Sequence, residues 1–102
     1  MQTPQTPIAL QSAIAAGTTK RVNLGDDAVL LCNVDGEIFA IEDVCTHDGG
    51  ELDASDLEDC RVTCPRHGAT FDVRTGVATF PAILPVRTYS VRIVGDDIFI
   101  DA

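Results

Sequence analysis

The sequence predicts an all-β protein, an antiparallel sandwich or small barrel with a functional subdomain inserted between its strands. Three observations carry that prediction. Short apolar runs rich in β-branched residues recur along the chain, glycine-containing turn signals separate them, and one long polar stretch in the middle breaks the pattern. The 102 residues are 45% hydrophobic. A chain of that size is expected to form one domain over 1–102, because two cores would each fall below the size that folds without staples.

Taken in order, residues 20–24 read as a short extended piece after a turn or two of helix near 11–15, closed by Gly17. Residues 28–34 form a near-continuous apolar run, Asp35-Gly36 is a hairpin signal, and residues 38–41 return, so two antiparallel strands are expected. Residues 61–63 and 69–72 are shorter strands, with Thr75-Gly76 as a turn after the second. Residues 86–94 are rich in β-branched residues, Gly95-Asp96-Asp97 reverses the chain, and Ile98-Phe99-Ile100 pairs back as a second hairpin.

Charge and cysteine content narrow the function. Seven Lys and Arg stand against 16 Asp and Glu, a net charge of −9. Nucleic acid is therefore excluded as a partner, since its phosphates require basic residues. The first basic residue is Lys20 and the apolar run 8–16 is interrupted by Gln11 and Ser12. Neither a basic leader nor a run near the ~18 apolar residues of a membrane span is present. The expectation is a cytoplasmic protein without membrane attachment, whose four cysteines stay reduced and point to metal or redox chemistry.

The polar stretch 42–59 holds Glu42, Asp43, Asp48, Glu51, Asp53, Asp56, Glu58 and Asp59, half of all the acidic residues, with no Lys or Arg. A loop of this length in a compact domain is usually functional. Both histidines lie in or beside it, as Cys45-Thr46-His47 and Cys64-Pro65-Arg66-His67, and each pair is followed by glycine, Gly49-Gly50 and Gly68. Glycine lets backbone approach a bulky inorganic group and turn N–H donors toward it. Two such loops together offer two sulfur and two nitrogen donors. Three readings compete: a zinc site, although structural zinc pairs like with like as C-x2-4-C and H-x3-5-H; ordinary buried Cys and His; or a 2Fe-2S cluster with two Cys on one iron and two His on the other.

The spacing C-x-H-x16-C-x-x-H, with its surroundings Cys45-Thr46-His47-Asp48-Gly49-Gly50 and Cys64-Pro65-Arg66-His67-Gly68-Ala69-Thr70-Phe71-Asp72, resembles the Rieske iron-sulfur family. The resemblance extends over roughly 28–101. It implies the Rieske fold, cluster-binding loops over about 43–82 and one Rieske-type 2Fe-2S cofactor. Cys45 and Cys64 would bind the inner iron and His47 and His67 the outer, reducible iron. It also implies a third loop shielding the cluster, here Phe80-Pro81-Ala82 with Phe in place of the usual Gly.

Neutral imidazole ligands leave an oxidised cluster uncharged, whereas an all-cysteine site carries two further negative charges. Rieske potentials accordingly lie at ~−150 to +300 mV, against ~−400 mV for plant-type ferredoxins. High-potential members resemble this sequence but add a cysteine to each box and two hydroxyl donors; Gly50, Arg66, Ala69 and Phe71 stand at those positions. A potential near the low end, roughly −150 mV, is expected, with Arg66 between two ligands raising it somewhat.

That pattern is similar to the low-potential ferredoxin components of bacterial ring-hydroxylating oxygenases. The implied role is a monomeric one-electron carrier with no catalysis of its own, between an NAD(P)H-dependent flavin reductase and a terminal non-haem iron oxygenase. The alternative is a Rieske small subunit of another oxidoreductase complex, such as an assimilatory nitrite reductase. Cys32 and Cys60 read as small core residues. The acidic stretch reads either as a solvated face or as a surface that steers encounter with a basic partner.

Overall fold

The computed structural model describes residues 7–47, 49–52, 57–66 and 68–101. The strands are β1 (Ala9–Leu10), β2 (Thr19–Leu24), β3 (Asp27–Val34), β4 (Glu37–Glu42), β5 (Leu57–Glu58), β6 (Arg61–Thr63), β7 (Thr70–Asp72), β8 (Thr88–Val94) and β9 (Asp97–Asp101). Six of them form one sheet in the order β1-β9-β8-β4-β3-β2, and β5-β6-β7 form a second. Every pairing is antiparallel. The all-β expectation holds, and the small sheet is the inserted subdomain.

The apolar run at 28–34 is continuous because β3 is buried on both faces. Leu30 and Cys32 point into one core with Ile41, Cys45, Leu52, Val62, Cys64, Phe71 and Val86. Val29 and Leu31 point into another with Ile14, Ile38, Ala40, Tyr89 and Ile98. Successive strand residues face opposite sides, so one strand anchors both cores. Burying each such side chain contributes about 1.5–3 kcal/mol.

The β3–β4 hairpin turns at Asp35-Gly36, whose φ angles are 53° and 94°. Both central residues are left-handed, the geometry that matches strand twist, and Asp and Gly are residues that tolerate it. Register follows as Val34 opposite Glu37 through Val29 opposite Glu42.

Several sequence expectations need adjusting. The helical turn near 11–15 shrinks to a 3-10 turn, Gln11–Ala13, because Ala9–Leu10 pairs with β9 and Ser12 is tied to Asp96 through its N–H (2.8 Å) and Oγ (2.6 Å). Strand β8 starts at Thr88, two residues later than expected, since the Val86 N–H is committed to the Gly76 carbonyl at 2.9 Å. Cys60 lies in the turn before β6 and is half-buried, with its Sγ 3.6 Å from Asp72 Oδ2, so it is not a core residue. Cys32 is fully buried, as expected. No helix among the described residues is long and apolar enough to cross a membrane.

Candidate metal centre

Two loops carry the cysteine and histidine pairs, and their backbones close in the same way. In the first, the Cys45 N–H donates to the Gly50 carbonyl and the Gly49 N–H donates back to the Cys45 carbonyl, both at 2.7 Å. In the second, the Cys64 N–H donates to the Ala69 carbonyl at 2.7 Å and the Gly68 N–H donates to the Cys64 carbonyl at 3.0 Å. Each bond therefore joins a cysteine to the residue five or four positions on. Gly49 and Gly68 occupy equivalent places with φ of 76° and 81°, which is why glycine stands at both. The two cysteine loops thus share one pattern of closing hydrogen bonds despite their different Cys–His spacers.

The loops bring Cys45 and Cys64 into one apolar core, where they are 0% and 1% exposed, while His47 lies at the surface. His67 lies outside the described residues, as do Asp48, Asp53 and Asp56 of the acidic stretch. No disulfide joins any of the four cysteines. Ala69 and Phe71, at the positions where high-potential relatives would carry hydroxyl donors, are fully buried apolar residues. A donor set of two buried thiols and surface imidazole suits an inorganic group that is shielded on one side and reachable on the other.

The third loop contributes through its end. Ala82 is buried in the same core as both cysteines, whereas Phe80 and Ile83 are each 86% exposed and Leu84 is 65% exposed. Phe80 therefore faces outward. The Thr46 hydroxyl donates to the Leu84 carbonyl at 2.6 Å, which fastens this loop to the first cysteine loop. The Phe80-Pro81 peptide is cis.

Asp43 and Arg21 form a support beneath the site that the sequence does not signal. Asp43 counts among the acidic residues of the loop, yet it is only 5% exposed, accepts the Leu52 N–H at 2.6 Å and lies 3.5 Å from Arg21 Nε. Arg21, from β2, also pairs with Glu51 through Nη1. Arg66 reaches the same segment from the second loop and donates through Nη2 to the Glu51 carbonyl at 3.1 Å. Arg21 and Arg66 thus reach the acidic stretch from outside it, and among the described residues Asp43 and Glu51 face inward partners rather than solvent alone. No local spacing flags Arg21, because it is more than twenty residues away and meets Asp43 only through the sheet.

Comparison with known proteins identifies the architecture. A profile of the Rieske [2Fe-2S] domain matches residues 5–90. The chain is 42% identical over 97 residues to the ferredoxin component of biphenyl 2,3-dioxygenase from Rhodococcus jostii RHA1, covering 94% of this chain and 91% of that protein. Among solved structures it superposes on the Sphingomonas yanoikuyae B1 ferredoxin with a TM-score of 0.90 and 31% identity, covering 97% and 99% of the two chains. It also superposes on a chain in the complex of reduced oxygenase and oxidised ferredoxin of carbazole 1,9a-dioxygenase, with a TM-score of 0.87, 28% identity and 93% and 90% coverage. With two glycine-closed cysteine loops over a shared core and a profile match across most of its length, the chain belongs to the Rieske 2Fe-2S domain family, and its cofactor is one Rieske-type 2Fe-2S cluster.

Proposed function

We propose that this protein is the ferredoxin of an aromatic-ring dioxygenase system, passing single electrons from an NAD(P)H-dependent flavin reductase to a terminal non-haem iron oxygenase. Cys45, His47, Cys64 and His67 are the proposed ligands, within cluster-binding loops over about 43–82 of a single domain. When bound, the cluster supplies a one-electron couple whose potential depends on its ligands and on the hydrogen bonds around them. The observation that carries the reading is the contrast between Cys45 and Cys64, buried in the core, and His47, exposed at the rim. Buried thiols hold the cofactor away from water, and a surface imidazole gives a short route for an electron to a docked partner.

The protein's own residues support the carrier role in two further ways. Phe80, Ile83 and Leu84 form an exposed apolar edge fastened to the first ligand loop, suited to brief contact with an oxygenase surface. Exposed Glu58 and Asp59, with the overall charge of −9, favour fast encounter with a basic partner. The relatives named as dioxygenase ferredoxin components, and the ferredoxin found in complex with an oxygenase, support the assignment of partner class. We place the protein in the cytoplasm as a monomer that exchanges between partners.

Absorption and EPR spectra before and after dithionite reduction test the ligand set. A Rieske-type signal appearing on reduction, abolished by Cys45→Ser, is expected. A colourless, EPR-silent protein with stoichiometric zinc would end the assignment. Redox titration should place the potential near the low end of the family window, roughly −150 mV, because Ala69 and Phe71 supply no hydroxyl donor.

A further inference from the structure

We propose that Arg66 is a clasp holding the second ligand loop against the first, and that Gly50 is glycine in order to receive its guanidinium. The backbone bonds that close each loop lie within that loop, so they fix its shape but not its distance from the other. Arg66 spans that distance. Its side chain leaves the second loop and donates through Nη2 to the Glu51 carbonyl, beyond the end of the first.

Gly50 shows how closely the guanidinium sits. Seven of the eight glycines have left-handed φ angles, which explains glycine at those positions, and Gly50 is the exception. What a Cβ at position 50 would meet is Cζ, Nη2 and Nε of Arg66, all within overlap distance. The backbone does not require glycine there; a Cβ would push the guanidinium out of the place it occupies. The anchor is itself secured by other groups, because the Glu51 carboxylate pairs with Arg21 and the next N–H, of Leu52, donates to Asp43.

Arg66 is therefore a positioning residue for the cofactor rather than a ligand. A planar fork can lie flat on a glycine and donate at its edge, and a lysine ammonium cannot do both. This inference rests on the ligand set proposed above, because a clasp between the two loops matters to the cofactor only if both loops bind it.

The test is a double-mutant cycle on the protein as purified, using Gly50→Ala, Arg66→Ala and their combination, with Arg66→Lys as the charge-conserving control. Iron release to a chelator is followed by loss of visible absorbance, and amide hydrogen exchange is read at Cys45 and Gly49. Each single change should speed release about tenfold, the scale of one charge-assisted hydrogen bond. The combination should be no faster than Arg66→Ala alone, and Arg66→Lys should not restore slow release. Effects that multiply in the combination, or full rescue by Lys, would overturn the clasp. Failure of the ligand set shows differently, as a missing Rieske signal in the unmodified protein. The exchange measurement still decides the clasp in that event: coupled loss of protection supports it, and independent losses refute it.

Discussion

The buried Asp43 carboxylate lies 3.5 Å from the Arg21 guanidinium, two residues before Cys45, and this pair joins the large sheet to the first cysteine loop. Its other oxygen takes the Leu52 N–H at 2.6 Å, so one side chain fixes both ends of the segment that contains the loop. Asp43→Ala should destabilise the protein by about 2–3 kcal/mol, since it strands a buried N–H and removes one partner of Arg21. Arg21→Ala should cost less, about 1–2 kcal/mol, because the arginine side chain is 39% exposed and water screens part of what it contributes. Urea melts of the two variants check the order.

Gly76 is a second fixed point. Its φ is 83°, its N–H donates to the Asp72 carbonyl at 2.7 Å, and a Cβ there would run into the Val86 carbonyl. Backbone cannot swing aside as a side chain does. Gly76→Ala should lower stability by about 2–4 kcal/mol and loosen the connection from β7 to the third loop. Gly50→Ala should cost less in a urea melt, because the end of the Arg66 side chain rather than backbone must move.

Burial, with a smaller contribution from the Asp43 charge, pushes the Cys32 thiol up to about 12 from 9.0. The unfolded chain loses this proton near pH 9, whereas the folded chain holds it until about pH 12. Stability from this group is thus complete below pH 9 and lost as pH rises toward 12, at up to about 1.4 kcal/mol per pH unit. Cys32→Ala should flatten the decline in urea midpoint between pH 9 and 10.5. In the native protein at pH 8, iodoacetamide should leave Cys32 unmodified, as read by mass spectrometry.

Phe80 and Ile83 are almost fully exposed, so their removal should leave stability within about 0.5 kcal/mol of the parent. The double change Phe80→Ser, Ile83→Ser should nevertheless slow electron delivery to a terminal oxygenase several-fold under stopped-flow mixing. An unchanged rate would show that partners dock elsewhere.

Ionic strength separates the two readings of the acidic stretch. Steering by Glu58, Asp59 and their neighbours predicts that the rate of reduction by a flavin reductase falls as salt rises from 0.01 M to 0.15 M, where the screening length shrinks from about 30 Å to about 8 Å. Asp43→Asn should leave that slope unchanged, because Asp43 is buried beside Arg21. A rate insensitive to salt would reduce the stretch to a solvated face.

Much of the protein was legible in its residues. Strands β3, β4, β8 and β9 were readable because long apolar and β-branched runs flank glycine turns. The two-residue strands Ala9–Leu10 and Leu57–Glu58 were not, since two residues carry no period and owe their conformation to the strands they pair with. The Cys45, His47, Cys64 and His67 spacing is a local signal and identified the family directly. Other features arise between distant segments. Whether Phe80 faced inward or outward, whether Asp43 belonged to a charged surface or a buried ion pair, and why position 50 is glycine all depended on groups far away in sequence. Spacing along a chain records the ligand chemistry, because each loop must place its own donors. Burial and pairing come from which strands lie together, and so Arg21 and Arg66 acquired their roles only when the sheet and the two loops were assembled.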